Sequence, residues 1–420
     1  MPMIKHGMPA ESISNLEQLK GLLNLSSIEE YQLGRVLQAH PMLISRHYAS
    51  LIDWNDPHDP IRRMAVPSCD ELNLEGCCDT SGEAENTKIP GLQHKYSETV
   101  LILATNVCAT YCRHCFRKRL VGLPTEETMK RLEDAAEYIE NHPEINNVLV
   151  SGGDPLMLCN EVIRKFLGIL TRIAHLNFIR FGSRVPVTFP SRLKDKELLD
   201  IFKKYSKSDK RIYIVTQFNH PREISPQSIR AASDLIKAGV LLGNQTVLLK
   251  GVNDNPDTLA SLMNKLASIG VTPYYVFQCR PLEGVKHHFQ VPICEGLRIV
   301  EKAKANCNGL SKRFKYVMSH ITGKIEILGI MNGDIYFKYH ESKDRKNLGV
   351  MFKRCVNEKA GWLDDFDSYA DLSREEVELK AKFQWLRDHR LDWLFQDETE
   401  SLIACAKRNQ KNMAEQLLAQ

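Results

Sequence analysis

From Thr99 to about Asn308 the chain alternates between short apolar runs rich in β-branched and aromatic residues and longer stretches whose apolar positions recur every three or four residues. The short runs TVLILAT (99–105), NVLVSG (147–152), FIRFGS (178–183), RIYIVTQF (211–218), NQTVLLK (244–250) and TPYYVFQC (272–279) predict six strands. Amphipathic stretches near 125–141, 160–175, 194–207, 225–238, 256–269 and 292–306 predict the helices between them. Thr125 supplies a capping start to the first helix and Gly239 stops the fourth. Successive βα units imply a parallel sheet, because parallel neighbours need a crossover. A closed eight-unit barrel requires two further units, and the chain after Leu310 does not supply them. An α/β fold remains, either an incomplete barrel or a doubly wound sheet, and in both the C-terminal strand ends carry the chemistry.

Four segments follow from the same pattern. Residues 1–98 form a helical N-terminal region, mainly over 12–66, with an irregular linker over 67–98. Residues 99–310 hold the βα units, and 311–355 form a hairpin segment whose core, 323–340, turns at Asn332-Gly333. Residues 356–420 read as a helical C-terminal extension with Trp385 and Trp393.

Of 420 residues, 43% are hydrophobic and 26% charged, which excludes wholesale disorder. A formal charge of +4 is too small for this length to call for nucleic acid or a membrane surface. The opening MPMIKHGMPAESISNLEQ has no basic and then apolar leader, and no apolar run approaches membrane-spanning length, so a soluble cytoplasmic protein is expected. Twelve cysteines change the picture, since a chain this long needs no disulfide staples. Cys69, Cys159, Cys279, Cys294, Cys307, Cys355 and Cys405 read as isolated core or loop thiols, and Cys77/Cys78 as a loop pair.

The remaining three follow the first predicted strand directly, as Cys108-Ala109-Thr110-Tyr111-Cys112-Arg113-His114-Cys115. Three thiolates without a fourth nearby leave a four-iron cluster with one iron open to a ligand. A closed tetrahedral zinc site is the alternative, but its only near fourth ligand is His114, badly placed between two cysteines. Arg113, Arg117, Lys118 and Arg119 are expected to lower the thiol pKa values and offset cluster charge.

C-x₃-C-x₂-C after strand one of a βα chain resembles the radical S-adenosylmethionine (SAM) superfamily. That resemblance implies a partial (β/α)₆ barrel, a [4Fe–4S] cluster on Cys108, Cys112 and Cys115, and SAM cleaved to a 5′-deoxyadenosyl radical. Segments 91–119, 148–156, 180–192, 218–225, 243–254 and 273–279, with DPHDPIRRM (56–64), narrow the resemblance to the lysine 2,3-aminomutase family over most of residues 12–325. By resemblance Ser151, Gly152, Gly153 and Asp154 meet the ammonium of SAM, and Gln245 its carboxylate. The glycines allow close backbone approach and Asp154 faces a cation. His220 either joins this site or caps a loop.

The family's aminomutases hold pyridoxal phosphate on a lysine after a glycine-rich run. Lys324 occupies that place, Ser183 and Arg184 match phosphate ligands, and Tyr96 belongs to the same pocket. The family's glycine run shrinks here to Gly323, and Thr99 stands where a second cofactor-pocket arginine is usual. Arg117 matches the arginine that holds a substrate α-carboxylate. Arg280 and Ser319 stand where lysine-specific members carry aspartates, so free lysine is disfavoured and a dicarboxylic amino acid such as glutamate or aspartate is favoured.

The expected activity is therefore an aminomutase-type isomerase on an amino acid other than lysine. The alternatives are a radical enzyme without pyridoxal phosphate on another anionic substrate, and a non-catalytic iron–sulfur protein. A reductant such as flavodoxin or ferredoxin is implied as partner, with no nucleic acid, no membrane and no structural zinc expected. The substrate's identity and any homo-oligomer stay open at this level.

Overall fold

The computed structural model describes residues 12–206 and 210–367. All twelve strands form one sheet, in spatial order β1 to β12. They are β1 (Thr87–Ile89), β2 (Leu92–Tyr96), β3 (Thr99–Thr105), β4 (Asn147–Gly152), β5 (Phe178–Gly182), β6 (Arg211–Thr216), β7 (Leu241–Leu248), β8 (Thr272–Gln278), β9 (Lys315–His320), β10 (Gly323–Met331), β11 (Asp334–Ser342) and β12 (Met351–Cys355). Neighbours from β3 to β9 pair in parallel. Antiparallel strands flank them on both sides. The order never returns to β1, so this is the partial barrel, with six βα units leading into β9.

The pattern works because the two faces of each strand have different jobs. In β5, Ile179 and Phe181 are fully buried on the outer side, where Phe181 meets Phe202 of helix Lys196–Tyr205 at 6.0 Å. The alternate residues Arg180 and Gly182 face the interior. Five of the six predicted helices form close to their expected places, at Asn160–Leu170, Lys196–Tyr205, Pro226–Lys237, Pro256–Ser268 and Ile293–Ala305. Gly239 has φ +84 and its N–H bonds the Ile236 carbonyl at 2.9 Å, the expected stop. The hairpin turns at Asn332 (φ 53) and Gly333 (φ 81), both left-handed as a type I′ turn requires.

Three expectations need correction. The first helix begins at Leu132, not Thr125, because the Thr125 hydroxyl accepts from Glu127 N–H in a local turn instead of capping a helix. The linker over 67–98 is not irregular throughout. Pro90 and Gly91 (φ +85) join β1 to β2, which pair antiparallel and extend the sheet. The seventh parallel strand, β9, and the edge strand β12 were not expected. Boundaries at 98/99 and 310/311 therefore fall inside one continuous sheet.

Lys95 on β2 donates to the carbonyls of Ser81 (3.1 Å) and of His320 at the end of β9 (2.6 Å), so a side chain spans the gap the backbone leaves open. Helices Leu16–Lys20, Ser27–Ala39, Arg46–Ala49 and Pro60–Ala65 bear out the helical N-terminal reading. Most of the predicted C-terminal extension, including Trp385, Trp393 and Cys405, lies outside the described residues. Among the described residues no helix is long and apolar enough to cross a membrane.

Candidate active site

The inward strand faces enclose a cavity of about 340 Å³, a size that suits small-molecule ligands. Every site residue singled out above except His220 lines it: the three cysteines, Ser151 to Asp154, Gln245, Ser183, Arg184, Tyr96, Arg117, Arg280, Ser319 and Lys324. His220 caps the short turn Pro221–Glu223, its Nδ1 accepting from Arg222 N–H at 3.2 Å, so the loop-capping alternative describes it and the SAM role does not.

The cysteine loop is held from outside by the N-terminal region. Tyr111 N–H bonds Leu43 O at 2.8 Å and Arg113 N–H bonds Met64 O at 2.9 Å. Its basic residues do not face the thiols as expected. Arg113 and Lys118 both pair with buried Glu71, at 2.6 and 2.5 Å, and Arg117 and Arg119 both pair with Glu83, at 2.9 and 2.8 Å. With those charges spent on carboxylates, burial dominates, pushing the Cys108 thiol well up and Cys115 up to about 11. Thiolate formation there is left to a bound metal, whose binding displaces the protons.

Gly152 and Gly153 also act differently from expectation. A Cβ on Gly152 (φ +107) would lie 2.4 Å from the Thr105 carbonyl oxygen, and one on Gly153 would lie 2.5 Å from that of Val107. The pair lets β4 press against the cysteine loop, and Asp154 N–H bonds Val107 O at 2.9 Å. The Asp154 carboxylate is turned inward on the protein. It accepts from Ser183 Oγ (2.7 Å) and from the N–H groups of Leu156 (3.0 Å), Arg184 (2.7 Å) and Val185 (3.1 Å), while burial still lifts its pKa to about 6. It fastens β4 to the loop after β5, so it is not a free carboxylate waiting for an ammonium.

Ser183 is thereby committed, and Arg184 more so. The Arg184 guanidinium donates to Cys112 Sγ (2.6 Å), Gln217 O (2.9 Å), Tyr48 Oη (3.2 Å) and Glu223 Oε1 (2.5 Å). The phosphate role expected of Ser183 and Arg184 is not supported, because their donors already have protein partners. Arg117 donates to Glu83 Oε1 (3.0 Å) and Ser151 Oγ (3.3 Å).

Arg280 is the exception. Its guanidinium lies 4.5 Å from the centroid of the Phe116 ring, which Arg117 also approaches at 4.4 Å. Its side chain has no hydrogen bond or ion pair among the described residues. Lys324 faces the same cavity, donates to Glu341 at 2.9 Å and lies 4.8 Å from the Tyr275 ring centroid. Glu341, Glu83, Arg180 and Gln93 were missed from sequence. The signal for Arg180 is a polar residue at an inward position of the otherwise apolar run FIRFG, whereas Gln93 sits in the mixed run LQHKY and gives no such signal.

Three thiols on the loop after the first parallel strand of a partial barrel, opening on a ligand-sized cavity, define the radical SAM class, and residues 102–263 match the Radical SAM superfamily. A putative L-lysine 2,3-aminomutase of Aquifex aeolicus is 43% identical over 360 residues, covering 83% of this chain and 96% of its own. The L-lysine 2,3-aminomutase of Clostridium subterminale is 40% identical over 300 residues, 71% of each chain, and the glutamate 2,3-aminomutase of Clostridioides difficile 36% over 301 residues, 71% and 70%. The chain belongs to this aminomutase family of radical SAM isomerases. The family implies a [4Fe–4S] cluster and SAM, and Cys108, Cys112 and Cys115, which all line the cavity, fit the cluster.

Proposed function

We propose that this enzyme is a 2,3-aminomutase-type isomerase whose substrate is an amino acid with a side-chain carboxylate, not free lysine. The observation that carries this reading is Arg280, a cation in the cavity without a counter-charge of its own. Glu83, the carboxylate that acts most strongly on it, already pairs with Arg117 and Arg119. An ammonium brought beside Arg280 faces like-charge repulsion in a desolvated site, at a cost of several kcal/mol, whereas a carboxylate supplies the missing partner.

The bound cluster and SAM supply a carbon radical able to take a hydrogen from the substrate. The chain's own residues do the rest. Arg280 receives the distal carboxylate in a fixed plane set by the Phe116 ring, and Arg117, released in part from Glu83, has Nη1 near Ser151 to meet the α-carboxylate. Lys324 offers the amine that pyridoxal phosphate needs, and Tyr96 stands near it, with the ring centroid 5.8 Å from Nζ. A reading without pyridoxal phosphate draws on the Lys324–Glu341 ion pair and the committed Ser183 and Arg184. Electrons come from a low-potential donor such as flavodoxin or ferredoxin.

The test is anaerobic reconstitution with iron, sulfide, SAM and dithionite, followed by 5′-deoxyadenosine and product analysis with glutamate, aspartate and lysine. The acidic amino acids should be turned over in preference, and Arg280→Ala should lose at least tenfold in kcat/KM for them. Comparable turnover of lysine by the unaltered enzyme would refute the assignment.

A further inference from the structure

The basic run at 113–119 spends its charge on Glu71 and Glu83, yet a cation from elsewhere in the chain does reach a cysteine of the loop. Arg184, just past the end of β5, donates from Nη1 to Cys112 Sγ at 2.6 Å. An arginine keeps its charge in a protein at any ordinary pH, so this bond places a permanent positive charge on the sulfur.

The rest of the guanidinium is anchored so that Nη1 has little choice of direction. Nε donates to the Gln217 carbonyl at 2.9 Å, and Nη2 donates to Tyr48 Oη at 3.2 Å and Glu223 Oε1 at 2.5 Å. The Arg184 backbone N–H is fixed in turn by Asp154 at 2.7 Å. Because the fork is planar and rigid, holding Nε and Nη2 aims Nη1. Glu223 does not cancel the charge by a two-pronged pair. Its Oε1 is shared between Arg184 and the Tyr48 hydroxyl (2.6 Å), and its Oε2 accepts from the N–H groups of Asn219 (2.5 Å) and His220 (3.0 Å). Tyr48 is fully buried and comes from the helix Arg46–Ala49, so the N-terminal region takes part in aiming a charge at the cysteine loop.

We infer that Arg184 tunes the reduction potential of the cluster held by Cys108, Cys112 and Cys115, and that Tyr48 and Glu223 are the positioning residues that aim it. Hydrogen bonds and charge at the ligating sulfurs are among the levers that set such potentials. Reduction moves one electron from a low-potential donor onto the cluster and adds a negative charge beside three thiolates. A cation bonded to one of those sulfurs favours the reduced form, so Arg184 raises the potential and eases electron entry. The inference rests on the family's cluster, and it is independent of the pyridoxal phosphate and of the substrate met by Arg280.

The test is a mediated redox titration of the full-length protein, reconstituted anaerobically with iron and sulfide and followed by electron paramagnetic resonance, with no substrate and no turnover. The unaltered chain is compared with Arg184→Met, Arg184→Lys and Tyr48→Phe, each normalised to its iron and sulfide content and checked by thermal unfolding. At a fixed applied potential the ratio of reduced to oxidised cluster should fall on the order of tenfold in Arg184→Met, a shift of about 59 mV to more negative potential for a one-electron couple. Arg184→Lys keeps the charge and should recover part of that loss. Tyr48→Phe keeps Arg184 but loosens its aim, and should lower the ratio by a smaller factor at unchanged iron content. A merely structural role would change how much cluster assembles and not the potential of the cluster that does. Arg184→Met with a full cluster and an unshifted potential overturns the inference. If Arg184→Met assembles no cluster, unshifted potentials in both Arg184→Lys and Tyr48→Phe overturn it instead. An unaltered chain that assembles no cluster would sink the family reading, and this inference with it, before any potential is measured.

Discussion

Glu71→Gln removes a single negative charge from behind the cysteine loop while keeping the side chain's shape. Glu71 is 3% exposed and its two partners, Arg113 and Lys118, are 2% and 8% exposed. Backbone carbonyls remain for both cations, Pro41 O at 3.0 Å for Arg113 and Gly284 O at 3.1 Å for Lys118, but among the described residues no second carboxylate pairs with either. Breaking a buried pair by removing one partner costs about 3–5 kcal/mol, and the surviving amide and carbonyl contacts place this change near the lower figure. At about 2 °C per kcal/mol for a large chain, Tm should fall by on the order of 6 °C. Burial alone would raise the Glu71 carboxyl, yet Arg113 and Lys118 hold it below its ordinary 4.5. A carboxyl depressed in the folded state gives stability that is present above the unfolded value and lost as pH falls through the folded one. The Tm gap between the two proteins should therefore persist from neutral pH to about 5 and close below about 4.5. Thermal unfolding followed by circular dichroism across that range reads it directly. A gap smaller than about 1 °C at neutral pH, or one that does not change down to pH of about 3.5, would show that charge pairing does not hold the loop.

Two further predictions probe the cavity walls. Gly153→Ala places a methyl 2.5 Å from the Val107 carbonyl oxygen and 2.7 Å from its nitrogen, both backbone atoms that cannot yield without moving the cysteine loop. The variant should fold but retain less iron after anaerobic reconstitution, and full iron content would refute the contact's importance. Burial, reinforced by Arg280, Lys343 and Lys324, pushes Lys95 down to about 7. At pH 7.5 about three-quarters of it is then neutral, against roughly 0.1% of an exposed lysine. Reductive methylation with formaldehyde, followed by peptide mass spectrometry, should label Lys95 at a rate nearly flat above pH of about 7.5, while exposed lysines gain about tenfold per pH unit. A Lys95 rate that climbs like theirs would refute the lowered pKa.

What could be read from sequence depended on whether the determining contact was local. The parallel strands showed themselves because both ends of each apolar run and the following helix lie within one stretch of chain. Lys315–His320 escaped because its ends, Lys and His, are polar and it is followed by a tight turn, so only its pairing with β8 identifies it as a strand. The cysteine spacing was legible because metal ligation is written in covalent spacing. The charges around it were not. Four basic residues beside three thiols imply thiolate stabilisation until Glu71 and Glu83, 42 and 34 residues earlier, draw them away. Arg184 was recognisable as a strand-end arginine, but Tyr48 and Glu223, which occupy it, are 136 and 39 residues distant.

The consequence is a change in where the positive field of the site originates. The conspicuous basic run at 113–119 is largely neutralised by its own carboxylates. Arg280 follows β8, Arg180 and Lys95 come from β5 and β2, and no carboxylate pairs with them among the described residues. Lys95 donates to two carbonyls and can shed its proton near neutrality, whereas the two guanidinium groups cannot. Two fixed cations in one desolvated cavity require negative charge from whatever occupies it. The cavity therefore calls for an anionic group beside Phe116, where a neutral or cationic ligand would leave Arg280 without a counter-charge.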